Sequence, residues 1–290
     1  MPTQNVINRS FNGVITNWNY VPSRPPWVNI PKRLRARLTR RPAPHSRMYT
    51  RPEKVGRWIL YFMYLPDGKL SVHHNFTLAR LQSEAASLMI VCACPPEHAV
   101  LDTLAQQCDS LCWKAMQGYD FSGYAIGLSV LADCVAGSDV FVMNDSVIGP
   151  FSRLTPFIDE AQWRLTGLSA AAEVENHLQS FALVIRHLDT FFMHAIRSAI
   201  SPNWCYDQAS AVILLQETVL ARVASEHVNV GAYWYTDGSL YRDLSLNCPE
   251  QLIDAGFPLL KRSLFGKFAG NFQDPKAMHA LLKRLGHPVL

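Results

Sequence analysis

Residues 58–65 read WILYFMYL, an unbroken apolar and aromatic run that ends at a Pro-Asp-Gly turn over residues 66–68. A run of this length that stops at a turn is typical of a buried strand. Two more runs of the same kind follow, SLMIVCA at residues 87–93 and DVFVM at residues 139–143. These three strands and the segments between them decide the fold class.

Helical patterns alternate with the apolar runs along the body of the chain. We predict helices over 75–85, 97–107, 121–134, 187–199 and 208–225, and further strands over 110–115, 180–185 and 232–235. Such alternation predicts an α/β fold with a mainly parallel sheet and helices on both faces. Ligands of such sheets bind beyond the carboxyl ends of the strands, so the polar residues at those ends are the first candidates for a site.

The net charge of +4 conceals two segments of opposite sign. Residues 1–57 carry twelve Lys or Arg and a single acid, whereas the remainder carries fifteen basic and twenty-two acidic residues. Prolines also interrupt the N-terminal segment repeatedly. We therefore predict a basic leader over residues 1–56 and one α/β domain over residues 57–290, since 234 residues suffice for a large core.

The basic run IPKRLRARLTRRP, residues 30–42, suits anionic lipid headgroups and phosphate backbones alike. A nucleic-acid arm is disfavoured because aromatic residues do not interleave with the charges and the acidic body would repel a polyanion. The remaining alternatives are an element that contacts an anionic membrane surface through residues 30–57 and a solvated linker.

Composition excludes several classes of protein. No uncharged apolar run reaches the ~18 residues that a membrane-spanning helix needs. The first residues lack the apolar core of a secretory signal, and the seven cysteines lack disulfide or zinc spacing. We expect free thiols and a cytoplasmic protein, peripheral at most on the inner face of the membrane.

Polar side chains follow the strand at residues 139–143 directly. Asn144, Asp145 and Ser146 come at its carboxyl end. A carboxylate in this position can hold a divalent cation, Mg²⁺ or Mn²⁺, which neutralises a leaving diphosphate. The alternative is a simple turn or helix cap.

A second candidate site follows the strand predicted over residues 110–115. Gly118 permits close approach of a ligand to the backbone, and Asp120 can accept hydrogen bonds from a sugar or ribose. The competing interpretation of Asp120 is an ordinary helix cap.

Later candidates are more dispersed. His177 and Gln179 precede an apolar strand and can contact sugar hydroxyls, and His177 can also act as a base. Glu217 lies in an apolar helix, and Lys261 and Arg262 can meet phosphates. Each of these residues has a structural alternative, either a satisfied core position or a solvated surface.

Four segments occur in an order that resembles a known family. They are YDFSGYAIGL (119–128), VMNDSVIGPF (142–151), HLQSFALV (177–184) and GFPLLKRSL (256–264). In this order they resemble the rhamnan synthesis protein F family of bacterial glycosyltransferases, over roughly residues 57–270. The positions that match its motifs are Gly118, Asp120, Asn144, Asp145, Ser146, Gly149, Pro150, His177, Gln179, Ser180, Glu217, Pro258 and Lys261.

The resemblance implies a GT-A-type fold and an inverting transfer of a deoxyhexose, typically rhamnose from dTDP-rhamnose, onto a cell-surface polysaccharide or lipid-linked glycan. Asp145 would bind a divalent cation or orient the donor diphosphate, supported by Asn144 and Ser146. Asp120 would bind the donor, and Lys261 would neutralise the leaving diphosphate.

The general base stays open among Asp145, Glu175, His177 and Glu217. His177 and Gln179 would contact hydroxyls of the donor or acceptor. One departure is Arg164, which occupies a position where the family usually has an acid. This departure and the lack of a D-x-D pair favour the alternative of a non-catalytic protein that binds nucleotide sugars or glycans.

Overall fold

The computed structural model describes residues 9–266 and 275–288. Its strands are β1 (Ile15–Asn19), β2 (Arg40–Pro42), β3 (Ser46–Thr50), β4 (Arg57–Tyr64), β5 (Ser87–Ala93), β6 (Ser110–Lys114), β7 (Ser138–Asn144), β8 (Val147–Ile148), β9 (Leu165–Ala171), β10 (His177–Leu178), β11 (Ala182–Leu188), β12 (Trp204–Tyr206), β13 (Val230–Thr236) and β14 (Leu260–Lys261).

The α-helices are α1 (Asn29–Arg37), α2 (Val72–Gln82), α3 (Val100–Ala105), α4 (Tyr119–Cys134), α5 (Thr155–Asp159), α6 (Thr190–Ile196), α7 (Ala209–Val212), α8 (Thr218–Ser225), α9 (Leu244–Asn247), α10 (Pro249–Asp254) and α11 (Pro275–Arg284). A π-helical turn, Ile213–Glu217, joins α7 to α8, and a 3-10 turn covers Arg262–Phe265. Among these described residues, no helix is both long and apolar enough to cross a bilayer.

The main sheet has the strand order β1-β13-β9-β11-β7-β4-β5-β6-β3, with β10 paired to β9. Its central block, β7-β4-β5-β6, is parallel, whereas β11 and the edge strands β1 and β3 pair antiparallel. The predicted α/β class, a central sheet with helices on both faces, is confirmed. The chain places β5 and β6 on one side of β4 and then returns to place β7 on the other side.

Strand β4 separates two hydrophobic cores because its side chains alternate between the faces of the sheet. Leu60 and Phe62 belong to the core beneath α4. Ile59 and Tyr61 belong to the opposite core, which α2, α3 and α5 cover. All four side chains are buried, which explains why the sequence shows an unbroken apolar run here rather than alternation.

The small residues of α4 let the helix pack closely on β4. A Cβ atom on Gly123 would come within 2.3 Å of the Phe62 ring, and one on Gly127 within 2.5 Å of Leu60. Larger residues would therefore push the helix away from the sheet. The close packing brings the first turn of α4 near the carboxyl end of β4.

Two strands of the basic N-terminal segment, β1 and β3, belong to the main sheet, whereas the sequence led us to expect a leader over residues 1–56. Strand β1 pairs with β13, and Trp18 stacks on Tyr235 with ring centroids 4.0 Å apart. Strand β3 pairs with β6. Charge and proline content did not reveal these strands, because edge pairing depends on backbone hydrogen bonds that need no apolar run.

Several element boundaries differ from the predicted ones. Helix α2 begins at Val72 because Ser71 forms a capping box with His74, three residues earlier than the apolar pattern indicated. Helix α3 is shorter than predicted, and β9 was not predicted at all. The sequence of β9, LTGLSAA, consists mostly of small residues, although every one of them is buried.

Candidate functional site

A cavity of about 440 Å³ opens at the carboxyl ends of β4, β6 and β7. The topology places it where the strand order reverses around β4, the position at which open α/β sheets bind ligands. Its lining combines aromatic, amide, hydroxyl and carboxylate side chains: Phe62, Tyr64, Met116, Tyr119, Asp120, Asn144, Asp145, Ser146 and Asp207.

Asp120 enters the cavity from the first turn of α4. Gly118 precedes this turn with φ +89°, and a Cβ there would lie 2.6 Å from Ser122 Oγ, so the position requires glycine. The Gly118 N–H donates to Asp207 Oδ1 at 3.0 Å. This bond fixes the loop that carries Asp120 against a second carboxylate of the cavity.

The carboxylate of Asp120 is held by two donors. Asn144 Nδ2 donates to Oδ2 at 2.7 Å, and the Phe121 N–H donates to Oδ1 at 3.0 Å. Asn144 is itself oriented, because its Oδ1 accepts the Ser146 N–H at 3.0 Å and the Ser146 hydroxyl. The residues at the end of β7 thus support Asp120 rather than forming only a turn.

Burial raises the pKa of Asp120 to about 6, and the negative charge of Glu217 adds to the rise. Glu217 lies on the π-helical turn, where its Oε1 accepts the Ser180 N–H at 3.0 Å and the Ser180 hydroxyl at 2.8 Å. A carboxyl group with a pKa near neutral is suited to take up a proton during catalysis.

Asp145 is held by β4 and α2. Its N–H donates to Phe62 O at 3.0 Å, and its Oδ2 accepts the Tyr64 N–H at 3.0 Å. His74 Nε2 lies 3.3 Å from the same oxygen. Because His74 Nδ1 accepts the Ser71 N–H, a neutral ring carries its proton on Nε2 and donates it to Asp145.

Arg262 completes the surroundings of Asp145. Its guanidinium donates to Asp145 O at 2.8 Å and lies 3.7 Å from Oδ2. This places a half-exposed cation at the end of β7, beside the cavity. Lys261 is near the same loop, since β14 pairs with β8 and places Lys261 opposite Val147.

The donor set around Asp145 does not fit a divalent cation held by the protein. Among residues 9–266 and 275–288, no three or more His, Cys, Asp or Glu side chains group as metal ligands. A guanidinium and an imidazole N–H already face Oδ2 of Asp145. Hard cations such as Mg²⁺ require several oxygen ligands, and positive neighbours oppose their binding.

Besides Gly118, four of the predicted site residues lie outside the cavity lining. His177 is buried in β10, where Nδ1 contacts Glu175 O at 2.8 Å, and Gln179 accepts the Ser169 hydroxyl. Lys261 Nζ lies 4.1 Å from the centroid of the Phe181 ring. Glu217 does not line the cavity, but its negative charge raises the pKa of Asp120, which does.

Glu175 and Arg164 have structural partners. Glu175, one of the bases left open by the sequence, is fully buried between Arg33 and Arg222. Arg164 pairs with Asp189 Oδ1 at 2.8 Å and donates to His187 O at 3.0 Å. The basic residue at position 164 therefore supports the start of α6, where Asp189 is the N-cap.

Sequence reasoning missed the buried cation beneath the cavity. Lys114, the last residue of β6, is fully buried and donates to Gln117 O at 2.8 Å. Burial lowers its pKa to about 8, although the charges of Cys205, Asp120 and Asp207 act against the shift. Its position at the end of a strand was the available signal.

Comparison with known proteins gives distant similarities only. Neither protein families nor curated proteins give a match. Residues of the TarS 1-349 fragment from S. aureus superpose with 12% identity and a TM-score of 0.38, over 62% of this chain and 60% of that one. HddC from Yersinia pseudotuberculosis superposes with 8% identity and a TM-score of 0.35, over 61% and 91%. This chain thus spans less than two thirds of the TarS fragment, and similarities this low carry no argument about function.

Proposed function

We propose that the protein is an inverting glycosyltransferase that moves a deoxyhexose, rhamnose from dTDP-rhamnose, onto a hydroxyl of a glycan or lipid-linked acceptor. The observation that carries this proposal is the cavity at the reversal point of the sheet: Asp120, a carboxyl group of raised pKa, lines it, and Arg262 contacts Asp145, another residue of its lining. The order of motifs described above supports the choice of donor.

The donor diphosphate would lie against Arg262. Its planar guanidinium offers several N–H donors, which match phosphate oxygens in pairs. The contacts of Asp145 with Arg262 orient this group, so Asp145 acts as a positioning residue in this scheme. Lys261 on β14 would add a second positive charge as the diphosphate leaves.

The sugar and base would use the apolar and aromatic part of the lining. Phe62 and Met116 offer a surface for the C5 methyl group that distinguishes a deoxyhexose from glucose. Tyr64 and Tyr119 are each 45% exposed, and their rings can stack on a sugar or a thymine.

Asp120 is the proposed general base. In the transfer step, the acceptor hydroxyl gives its proton to the Asp120 carboxylate while its oxygen attacks C1 of the sugar. The C1–O bond to the diphosphate breaks, and the electron pair leaves with dTDP. The negative charge of Glu217 raises the basicity of Asp120, which supports this choice of base. Asp120 was not among the candidate bases from the sequence, which gave it only a donor-binding role.

The test is release of dTDP from dTDP-rhamnose in the presence of acceptor glycan. Loss of a general base costs about 10²–10⁴-fold in rate, so we expect Asp120→Asn to fall by that factor. Asp133→Asn removes an exposed carboxylate of the same helix and should retain the activity of the native protein. Equal turnover by Asp120→Asn and the native protein would refute the assignment.

A second candidate, a protein that binds nucleotide sugars without transfer, is favoured by the poor fit of the donor set to a cation. It predicts that titration calorimetry detects dTDP-sugar binding while no dTDP is released with any acceptor. Transfer in the presence of EDTA would exclude it.

A further inference from the structure

Helix α1 and the turn before it expose a stripe of large apolar side chains. Trp27 is 81% exposed, Ile30 54%, Leu34 57% and Leu38 87%. The spacing of three or four residues places these side chains on one side of the helix. Single exposed apolar residues are common on protein surfaces, whereas a contiguous apolar surface of this kind indicates an interaction site.

The opposite side of α1 anchors the helix to the body. Ala36 is buried, and Arg33 donates to Glu175 and, at 3.1 Å, to Thr218 Oγ1. Because Glu175 is fully buried and also bound by Arg222, this contact fixes the rotation of the helix. The apolar stripe therefore stays outward in the folded protein.

Basic residues flank the stripe. Arg35 and Arg37 are exposed on α1 at the edges of the stripe, and no acidic residue occurs before Glu53. An apolar centre with basic edges is the pattern of helices that lie in the interface of an anionic membrane, where Trp also prefers to reside.

We propose that α1 docks the protein on an anionic lipid bilayer. The apolar stripe would enter the headgroup region, and Arg35 and Arg37 would meet lipid phosphates. A second copy of the chain is a poorer occupant, since a symmetric contact of two such helices would bring the same basic residues together. A nucleic acid would leave the apolar centre without a partner.

Docking through α1 would also bring the lipid surface near the catalytic region. Helix α1 packs against α7 and the π-helical turn. This segment begins two residues after Asp207 of the cavity and ends at Glu217. The docking proposal itself does not rest on the proposed function, since membrane binding is measured without turnover.

The test is co-sedimentation of the full chain with phosphatidylcholine vesicles, with and without phosphatidylglycerol. We expect binding only to the anionic vesicles, and weaker binding in high salt. Replacing Arg35→Gln and Arg37→Gln should weaken partitioning about fivefold for each charge. Replacing Leu34→Ser and Leu38→Ser should weaken it about tenfold each.

Phe191→Ser is the matched control, because this residue is a large exposed side chain outside α1. It should bind vesicles as the native protein does, and all variants should unfold at the native temperature. Binding that is absent, or unchanged by the α1 substitutions, would overturn the proposal. A dimer that dissociates in the Leu34→Ser variant would overturn it in favour of a second copy.

Discussion

Substitution of Asp120 by Asn should stabilise the protein at alkaline pH although it slows transfer. Burial and the Glu217 charge raise the pKa of Asp120 from 3.8 to about 6. Between these values the folded state binds more protons than the unfolded state, so stability falls as pH rises from about 4 to about 6. Above that window, ionised Asp120 costs the fold up to about 3 kcal/mol, at about 1.4 kcal/mol for each pKa unit.

A lost hydrogen bond offsets part of this gain. Asn144 Nδ2 donates to Asp120 Oδ2, and the amide nitrogen of the Asp120→Asn variant cannot accept that hydrogen. One such bond contributes about 1 kcal/mol. The variant should therefore be about 2 kcal/mol more stable than the native protein at pH 8, and about 1 kcal/mol less stable below pH 4.

Urea unfolding followed by circular dichroism across this pH range measures the difference. Asp133→Asn on the same helix is the control, because its exposed carboxylate should leave the pH dependence unchanged. If Asp120→Asn follows the native pH dependence in parallel, the raised pKa of Asp120 and its role as base are both refuted.

Three further outcomes are expected. Glu217→Gln should keep transfer but move the acidic limb of the pH–rate profile to lower pH, because the charge that raises the pKa of Asp120 is gone. The control Glu226→Gln should leave the profile unchanged. Complete loss of transfer in Glu217→Gln would instead make Glu217 the base. Arg262→Gln should weaken dTDP binding in calorimetry by about tenfold or more, as loss of a charged hydrogen bond does, whereas Arg284→Gln should not. Transfer should persist in EDTA, and a requirement for Mn²⁺ would contradict the role given to Arg262.

The sequence predicted the parts of the fold that depend on local pattern. The runs at β4, β5 and β7 are apolar because those strands are covered on both faces, so their length and the turns after them identify them. Strand β9 escaped prediction because its small residues are buried only in the context of neighbouring strands. Strand β1 was not predicted because its buried residue Trp18 packs on Tyr235, which lies far along the chain.

In the candidate site, too, the sequence predicted what depends on local pattern and not what depends on contacts between distant residues. Asp120, Asn144 and Asp145 follow strand ends, and strand ends of a parallel block meet at one edge, so their convergence was predictable. The roles of His74 and Glu175 were not. His74 contacts a carboxylate 71 positions away, and Glu175 meets Arg33 across 142 positions. Such contacts depend on the complete fold rather than on local spacing.

A crystal structure with dTDP-rhamnose bound would test the central claim most directly. We predict the diphosphate within hydrogen-bond distance of the Arg262 guanidinium, with the sugar against Phe62 and Met116 and its C1 open towards Asp120. A nucleotide sugar bound elsewhere on the protein, or a diphosphate coordinated by a cation on Asp145 with Arg262 turned away, would contradict the account.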